Sequence, residues 1–214
     1  MDAGAVIGRS FDLDLLGAVA AKPADAIDEA LGRLIASHLV VPLDDLFAFR
    51  HALISDAAYA AIPPGRRRRL HADVAHAATH SGLSESHVSD HYERARDTAN
   101  AHLHALAGPR YARRISAHRE AAALFLRAQR TAPADLDAYA SASLHAELAI
   151  ELAAINDNEG ATANLEAAVS LYRGTGDEES AAALVPRLMA AQQLLGVGLA
   201  ERARLAHDAL IRMD

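Results

Sequence analysis

Cysteine and tryptophan are absent from this 214-residue chain, and lysine occurs once, at Lys22. The missing thiol excludes disulfides, thiolate nucleophiles and cysteine-ligated zinc. The lone lysine excludes more. A phosphate-binding P-loop needs a Gly-Lys-Ser/Thr run, and Lys22 is followed by Pro23, so nucleotide hydrolysis is not expected from this chain alone. Long apolar runs are missing too: the longest charge-free stretch, Leu188 to Ala200, is about thirteen residues, too short for a bilayer. Met1-Asp2-Ala3 opens neither a basic segment nor the apolar run of a secretion signal, so the cytoplasm is the expected location. Aromatic residues make up only 4% of the chain, and glycine and proline together fill 19 positions.

Alanine supplies 52 of the 214 residues, hydrophobic residues reach 51%, and 28 acidic against 21 basic side chains leave a formal charge of -7. Apolar content made mostly of a small, strong helix former predicts an all-α, mainly helical fold with thin packing. Ser10 ahead of Phe11, Leu13, Leu15, Leu16 and Val19, with Asp12 and Asp14 nearby, reads as the cap of a first helix over 11–20. Lys22-Pro23 interrupts, and Ile27, Leu31, Leu34 and Ile35 then recur at helical spacing over 24–37. Leu39-Val40-Val41 and Phe47-Ala48-Phe49 around Asp44-Asp45 predict a small β-hairpin. A further helix over 51–62 ends at Pro63-Pro64-Gly65. Helix, helix, hairpin, helix suits a small winged-helix domain over residues 1–64. From Arg66 onward the windows are helical, with Gly82 placed to close one and Ser84 to open the next. Breaks at Gly108-Pro109, Ala132-Pro133, Asn156-Asp157-Asn158, Gly174 to Asp177 and Gly196 to Gly198 imply antiparallel helical hairpins over residues 65–214. Leu124, Leu165 and Leu205 recur at steps of 41 and 40, which fits a helix pair per repeat.

Ala5 to Leu16, then Phe47-Ala48-Phe49-Arg50-His51-Ala52-Leu53-Ile54-Ser55-Asp56-Ala57-Ala58-Tyr59 and Arg67-Arg68-Arg69-Leu70-His71, resemble the segment that follows the ATPase module in large bacterial regulators of the STAND class. Those include the large LuxR-type transcriptional activators and related predicted ATPases. The resemblance implies a winged helix followed by tetratricopeptide-like repeats. Residues 97–128, with Ala101, Tyr111, Arg113, Arg114, Glu120, Ala121, Leu124 and Ala128, are similar to the first such pair. The step near 40 departs from the usual 34, and Gly108-Pro109 interrupts a helix that the family continues. With neither a Walker motif nor a terminal helix-turn-helix, the chain is expected to be a fragment or degenerate reading frame of a larger regulator. Its implied role is coupling, without enzyme activity or a cofactor of its own. A protein partner, the parent's ATPase module, and a small-molecule or protein inducer on the repeats are expected.

Within the resemblance, His51 of Arg50-His51-Ala52 corresponds to a histidine that reaches the β-phosphate of bound ADP in a Met-His-Asp-like motif, though Ala52 stands where the acid would be. An imidazole can donate to phosphate and titrate near neutrality; otherwise His51 caps or packs a helix start. Arg66, Arg67, Arg68 and Arg69 could contact phosphates or the ATPase module, or form a solvated face with Asp73 nearby. Four cations in a first turn oppose the helix dipole. His76 with His80 and His87 with His91 share helix faces but lack the glutamate of a zinc hydrolase, so no metal is expected. The acidic pairs at Asp12/Asp14, Asp44/Asp45 and Glu178/Glu179 read as caps and turn tips. A DNA-binding winged helix with a helical effector or dimerisation domain is the rival function. Residues 24–37 set Arg33 against Asp25, Asp28 and Glu29, an acidic helix where a reader needs a basic one, so DNA binding is not expected. A homodimer through Glu178 to Met213 is a further expectation from the unpaired end of the array.

Overall fold

The computed structural model describes residues 1–213. Asp214 lies outside the described residues, as do the side chains of Tyr111, quoted above for the resemblance, and of Met213, which ends the expected dimer hairpin. The chain is mainly helical, with one three-stranded antiparallel sheet. It divides into two compact units, Met1–His104 and Ala105 onward. Among the described residues no helix is long and apolar enough to cross a membrane.

The first unit contains α1 (Asp2–Ile7), β1 (Ser10–Phe11), α2 (Leu13–Ala20), α3 (Ala24–Ala36), β2 (Val40–Leu43), β3 (Leu46–Phe49), α4 (Ala52–Ala61), α5 (Pro64–His80) and α6 (Glu85–Ala95), and ends within α7 (Thr98–Ala107). The expected hairpin is β2–β3, paired from Val40 opposite Phe49 to Leu43 opposite Leu46. Asp44 turns it at φ 50°, a conformation that aspartate tolerates better than most residues. Ser10 is not a cap. It belongs to β1, which lies on the other side of β3 with Ser10 opposite Ala48 and Phe11 opposite Phe47. The cap of α2 is Asp12, whose Oδ1 accepts from the Leu15 amide at 2.6 Å, so the helix starts two residues later than expected. A strand of two residues carries no periodicity; tertiary pairing decides it.

Val6, Phe11, Leu15, Leu16, Val19, Ile27, Leu31, Val40, Phe49, Ile62 and Val74 form one core. Val74 is on α5, so α5 and α6, assigned above to the helical array, fall in this first unit. Lys22 stands exposed in the link between α2 and α3.

Gly4 packs its backbone against the Phe11 ring, where a Cβ would come within 2.9 Å of Phe11 Cε1. That ring is hemmed in by Phe47 and Phe49, with centroids at 6.4 and 5.7 Å. Alanine is the better helix former by about 1 kcal/mol. Overpacking a core site costs about 1–3 kcal/mol. Gly4→Ala is therefore expected to lower the urea midpoint, and a raised midpoint would show that the ring gives way freely.

The second unit stacks α8 (Pro109–Arg114), α9 (His118–Arg130), α10 (Ala138–Ala154), α11 (Asn158–Gly174), α12 (Glu178–Leu194) and α13 (Leu199–Met213), each packed on its neighbour in sequence. Their ends are written locally. Asp137, Asp157 and Asp177 each accept from the backbone amide three residues on, at Ala140, Gly160 and Ser180. Asp177 has its carboxyl pKa lowered, chiefly by its hydrogen bonds from Ser180. Leu124, Leu165 and Leu205 fall on α9, α11 and α13, and the first two are buried. Alanines at 121, 122, 128, 142, 149, 161, 168 and 181 are buried between helices, which sets the thin packing.

Candidate functional site

The arginine run does not act as one patch, because the 100° advance per residue of a helix divides it. Arg66 and Arg69 share a face of α5. Arg66 pairs with Asp2 at 3.0 Å, and both arginines line a shallow groove with Leu70, Ala72 and Asp73. Arg67 and Arg68 point elsewhere, into a cavity of about 370 Å³ lined also by Tyr59, Pro64, Gly65, His71, Arg94 and Arg96. No acidic side chain lines it.

Arg67 is fixed in place by its surroundings. Its Nη2 donates to the carbonyls of Ala60 and Ile62 at 3.2 and 3.0 Å, satisfying oxygens at the end of α4. Its guanidinium carbon lies 4.4 Å from the Tyr59 ring centre, a cation–π contact. Its Nε is buried without a hydrogen-bond partner. Arg94 donates from Nε to Asp90 Oδ2 at 2.6 Å. Burial works against its charge, but Asp90 and the Tyr59 hydroxyl outweigh that and raise its pKa. Arg68 and Arg96 are exposed at the rim, and Arg96 sits at φ 64°, closing α6.

Behind the arginines lies a relay that spacing along the chain does not reveal. Tyr59 Oη is 2.9 Å from His71 Nε2, and His71 Nδ1 is 2.8 Å from His91 Nδ1. His71 is 2% exposed and His91 6%. Burial, with Arg94 and Arg67, pushes His71 down to about 4 against the pull of Asp90. Burial, with His71, Arg94 and His87, pushes His91 down to about 4, again against Asp90. Both rings are thus neutral near pH 7, and one of the two Nδ1 atoms carries the shared hydrogen. If His71 donates to His91, its Nε2 is bare and the Tyr59 hydroxyl must donate inward. If His91 donates to His71, the neutral His71 carries its hydrogen on Nε2 and donates to Tyr59 Oη, which frees the phenol hydrogen to point into the cavity.

His71 is the residue most readily found in retrospect, since 71, 74, 75 and 78 form the buried i, i+3, i+4, i+7 stripe of α5. Its partner lies 20 residues away on another helix. His91 does not pair with His87, which instead meets Ser84 Oγ at 3.0 Å. The His76 and His80 rings are 5.5 Å apart, with His80 Nδ1 3.0 Å from the His76 carbonyl. Among the described residues no group of three or more His, Asp or Glu side chains is placed to hold a metal. His51 is exposed at the start of α4 and its side chain makes no capping hydrogen bond. Its neighbour Arg50 is occupied, donating from Nε to the His38 carbonyl at 3.0 Å.

The second unit carries two further features. Glu151 on α10, 1% exposed, takes Arg113 Nε on one oxygen and His118 Nδ1 at 2.9 Å on the other. Arg113 also pairs with Glu147 and lies 5.2 Å from the Phe125 ring centre. Burial opposes the charge of Arg113, yet its hydrogen bonds to Glu151 and Glu147 and their charges raise its pKa. Along α12 and α13 an open groove of about 480 Å³ is lined mainly by Ala182, Val185, Pro186, Met189, Ala209 and Leu210.

Comparison of the chain with protein-family models, with curated proteins and with solved structures yields no match.

Proposed function

We propose that this chain is a non-catalytic regulatory and interaction module of a STAND-type, ATP-dependent transcriptional regulator of the LuxR-like kind. In that reading α2 to α4 with the sheet form a winged helix, α8 to α13 form tetratricopeptide-like hairpins, and the chain couples an effector bound on the hairpins to an ATPase module supplied by the parent protein. The observation that carries it is the open, mainly apolar groove along α12 and α13. Its lining residue Leu210 is 65% exposed, and its volume is within the range of small-molecule and peptide sites. Coupling would proceed as a population shift, the effector favouring one arrangement of the parent protein over another.

The rival, a winged helix that reads DNA, needs a basic recognition helix. The one cation of α3, Arg33, is engaged by Glu29 at 2.7 Å, beside Asp25 and Asp28. Fluorescence anisotropy of the purified chain against mixed-sequence duplex separates the two. No binding, or binding abolished at physiological salt, is expected; tight binding that survives physiological salt would replace the coupling module with an output domain. The coupling reading further expects an added P-loop ATPase module of this class to bind the chain with different affinities in its ADP and ATP forms. Equal affinities would remove it.

A further inference from the structure

We propose that the cavity among Tyr59, Arg67, Arg68, His71, Arg94 and Arg96 is a binding site for a small phosphate monoester, whose dianionic head is held by the guanidinium groups and by a Tyr59 hydroxyl that the buried histidine pair turns towards it.

The chain carries a formal charge of -7, yet this cavity gathers four guanidinium groups and no carboxylate on its lining. Asp90, on Arg94, offsets one of them. Converging arginines are the usual partners of a doubly charged oxyanion, because each planar fork can direct two N–H groups at adjacent oxygens. Pro64 and Gly65 bring the first turn of the 17-residue α5 to the same cavity, and the helix dipole adds to that field. A volume of about 370 Å³ is more than a bare phosphate fills and suits an ester with a small organic group. A nucleic-acid strand is a poor match, since of the two aromatic rings on the lining Tyr59 has a face covered by Arg67 and His71 is buried.

The relay supplies the switchable element. Without an anion to receive it, the phenol hydrogen can be accepted by His71 Nε2, 2.9 Å away. With a phosphoryl oxygen in place, the favoured pattern runs outward: His91 Nδ1–H to His71 Nδ1, His71 Nε2–H to Tyr59 Oη, and Tyr59 O–H to the anion. The relay keeps its number of protons: each neutral ring exchanges one tautomer for the other, with one proton given up at His91 Nε2 to the surroundings and one regained at the Tyr59 oxygen. The four arginines fix where the anion sits, and the histidine pair decides that Tyr59 donates to it.

Calorimetric titration of the full chain with glycerol 3-phosphate and with inorganic phosphate, at constant ionic strength in chloride, tests this. Saturable one-to-one binding of the ester is expected, with the inorganic ion weaker. Arg68→Gln and Arg96→Gln alter exposed side chains and are each expected to weaken ester binding about tenfold. Tyr59→Phe keeps the ring beneath Arg67 and is also expected to weaken binding. In nitrogen NMR of the wild-type chain, saturation with ester is expected to move His71 to its Nε2–H tautomer, a change that Tyr59→Phe abolishes. Failure of both anions to saturate, or binding untouched by Arg68→Gln and Arg96→Gln, would overturn the site. Equal binding of the two anions would overturn the ester and leave free phosphate as the ligand. An unmoved tautomer on saturation would overturn the role of the histidine pair.

Discussion

Glu151→Ala is expected to destabilise the second unit by about 3 kcal/mol, the largest loss from any single substitution considered. Three effects add. The side chain is almost fully buried, so its removal leaves a cavity. Arg113 Nε and His118 Nδ1 both lose their acceptor. A guanidinium held against α10 is then left partly desolvated with less charge to face it. Glu147, which also pairs with Arg113, and the partial exposure of Arg113 keep the figure at the low end of the range for breaking a buried pair. The cost is that of a stranded partner more than of a lost attraction, and a second variant distinguishes the two. Glu151→Leu combined with Arg113→Met removes both members of the buried pair, leaves only the partly exposed Glu147 without its arginine, and should recover most of the loss. Urea unfolding of the two variants decides the matter: equal destabilisation would show that the ion pair itself contributes the energy.

Acidification is expected to weaken the first unit well above the pH at which carboxylates titrate. His71 and His91 are held at about 4 in the folded chain and return to about 6.5 when it unfolds. Between those values the unfolded chain binds protons that the folded chain refuses, so stability rises with pH through this window and falls as pH drops. It is fully present above about pH 6.5 and is lost progressively towards pH 4. One such imidazole accounts for about 2 kcal/mol between pH 6.5 and pH 5. The groups around the pair set the sign: Arg94, Arg67 and His87 add to burial in disfavouring the charged rings, and Asp90 alone opposes them. Two N–H groups facing each other across 2.8 Å would also repel, so the pair does not accept two protons in place. Thermal unfolding between pH 5 and 7 gives the slope, and proton NMR of the rings gives the titration directly. A stability flat across that window, or rings titrating near 6.5 in the folded chain, would contradict the buried neutral pair.

Much of the helical architecture is legible in the sequence because helices end where residues act locally. Asp137, Asp157 and Asp177 announce three starts, Gly176 and Gly196 adopt φ 80° just after two ends, and Pro109 opens α8. The hairpin is legible too, from the short apolar runs on either side of Asp44-Asp45. What stays hidden depends on distant partners. β1 exists because β3 offers it an edge, and α1 because Gly4 lets a short helix close on Phe11. The site is hidden for the same reason. Arg66 to Arg69 are adjacent in sequence but split by helix geometry, while Arg67, Tyr59, His71, His91 and Arg94 meet only once α4, α5 and α6 pack. His51, conspicuous beside Arg50, lies exposed and outside that cluster.

Lys22, exposed between α2 and α3, gives the chain an unusual chemical address. Besides the α-amino group, it is the sole primary amine of the polypeptide, so acylating reagents and amine-directed modifying enzymes find no side chain at all in the second unit. A fluorophore ester would mark the first unit alone, at Lys22 and the α-amino group, without any mutation. Acetylation or ubiquitin transfer to a lysine of this chain would have to converge on that same amine.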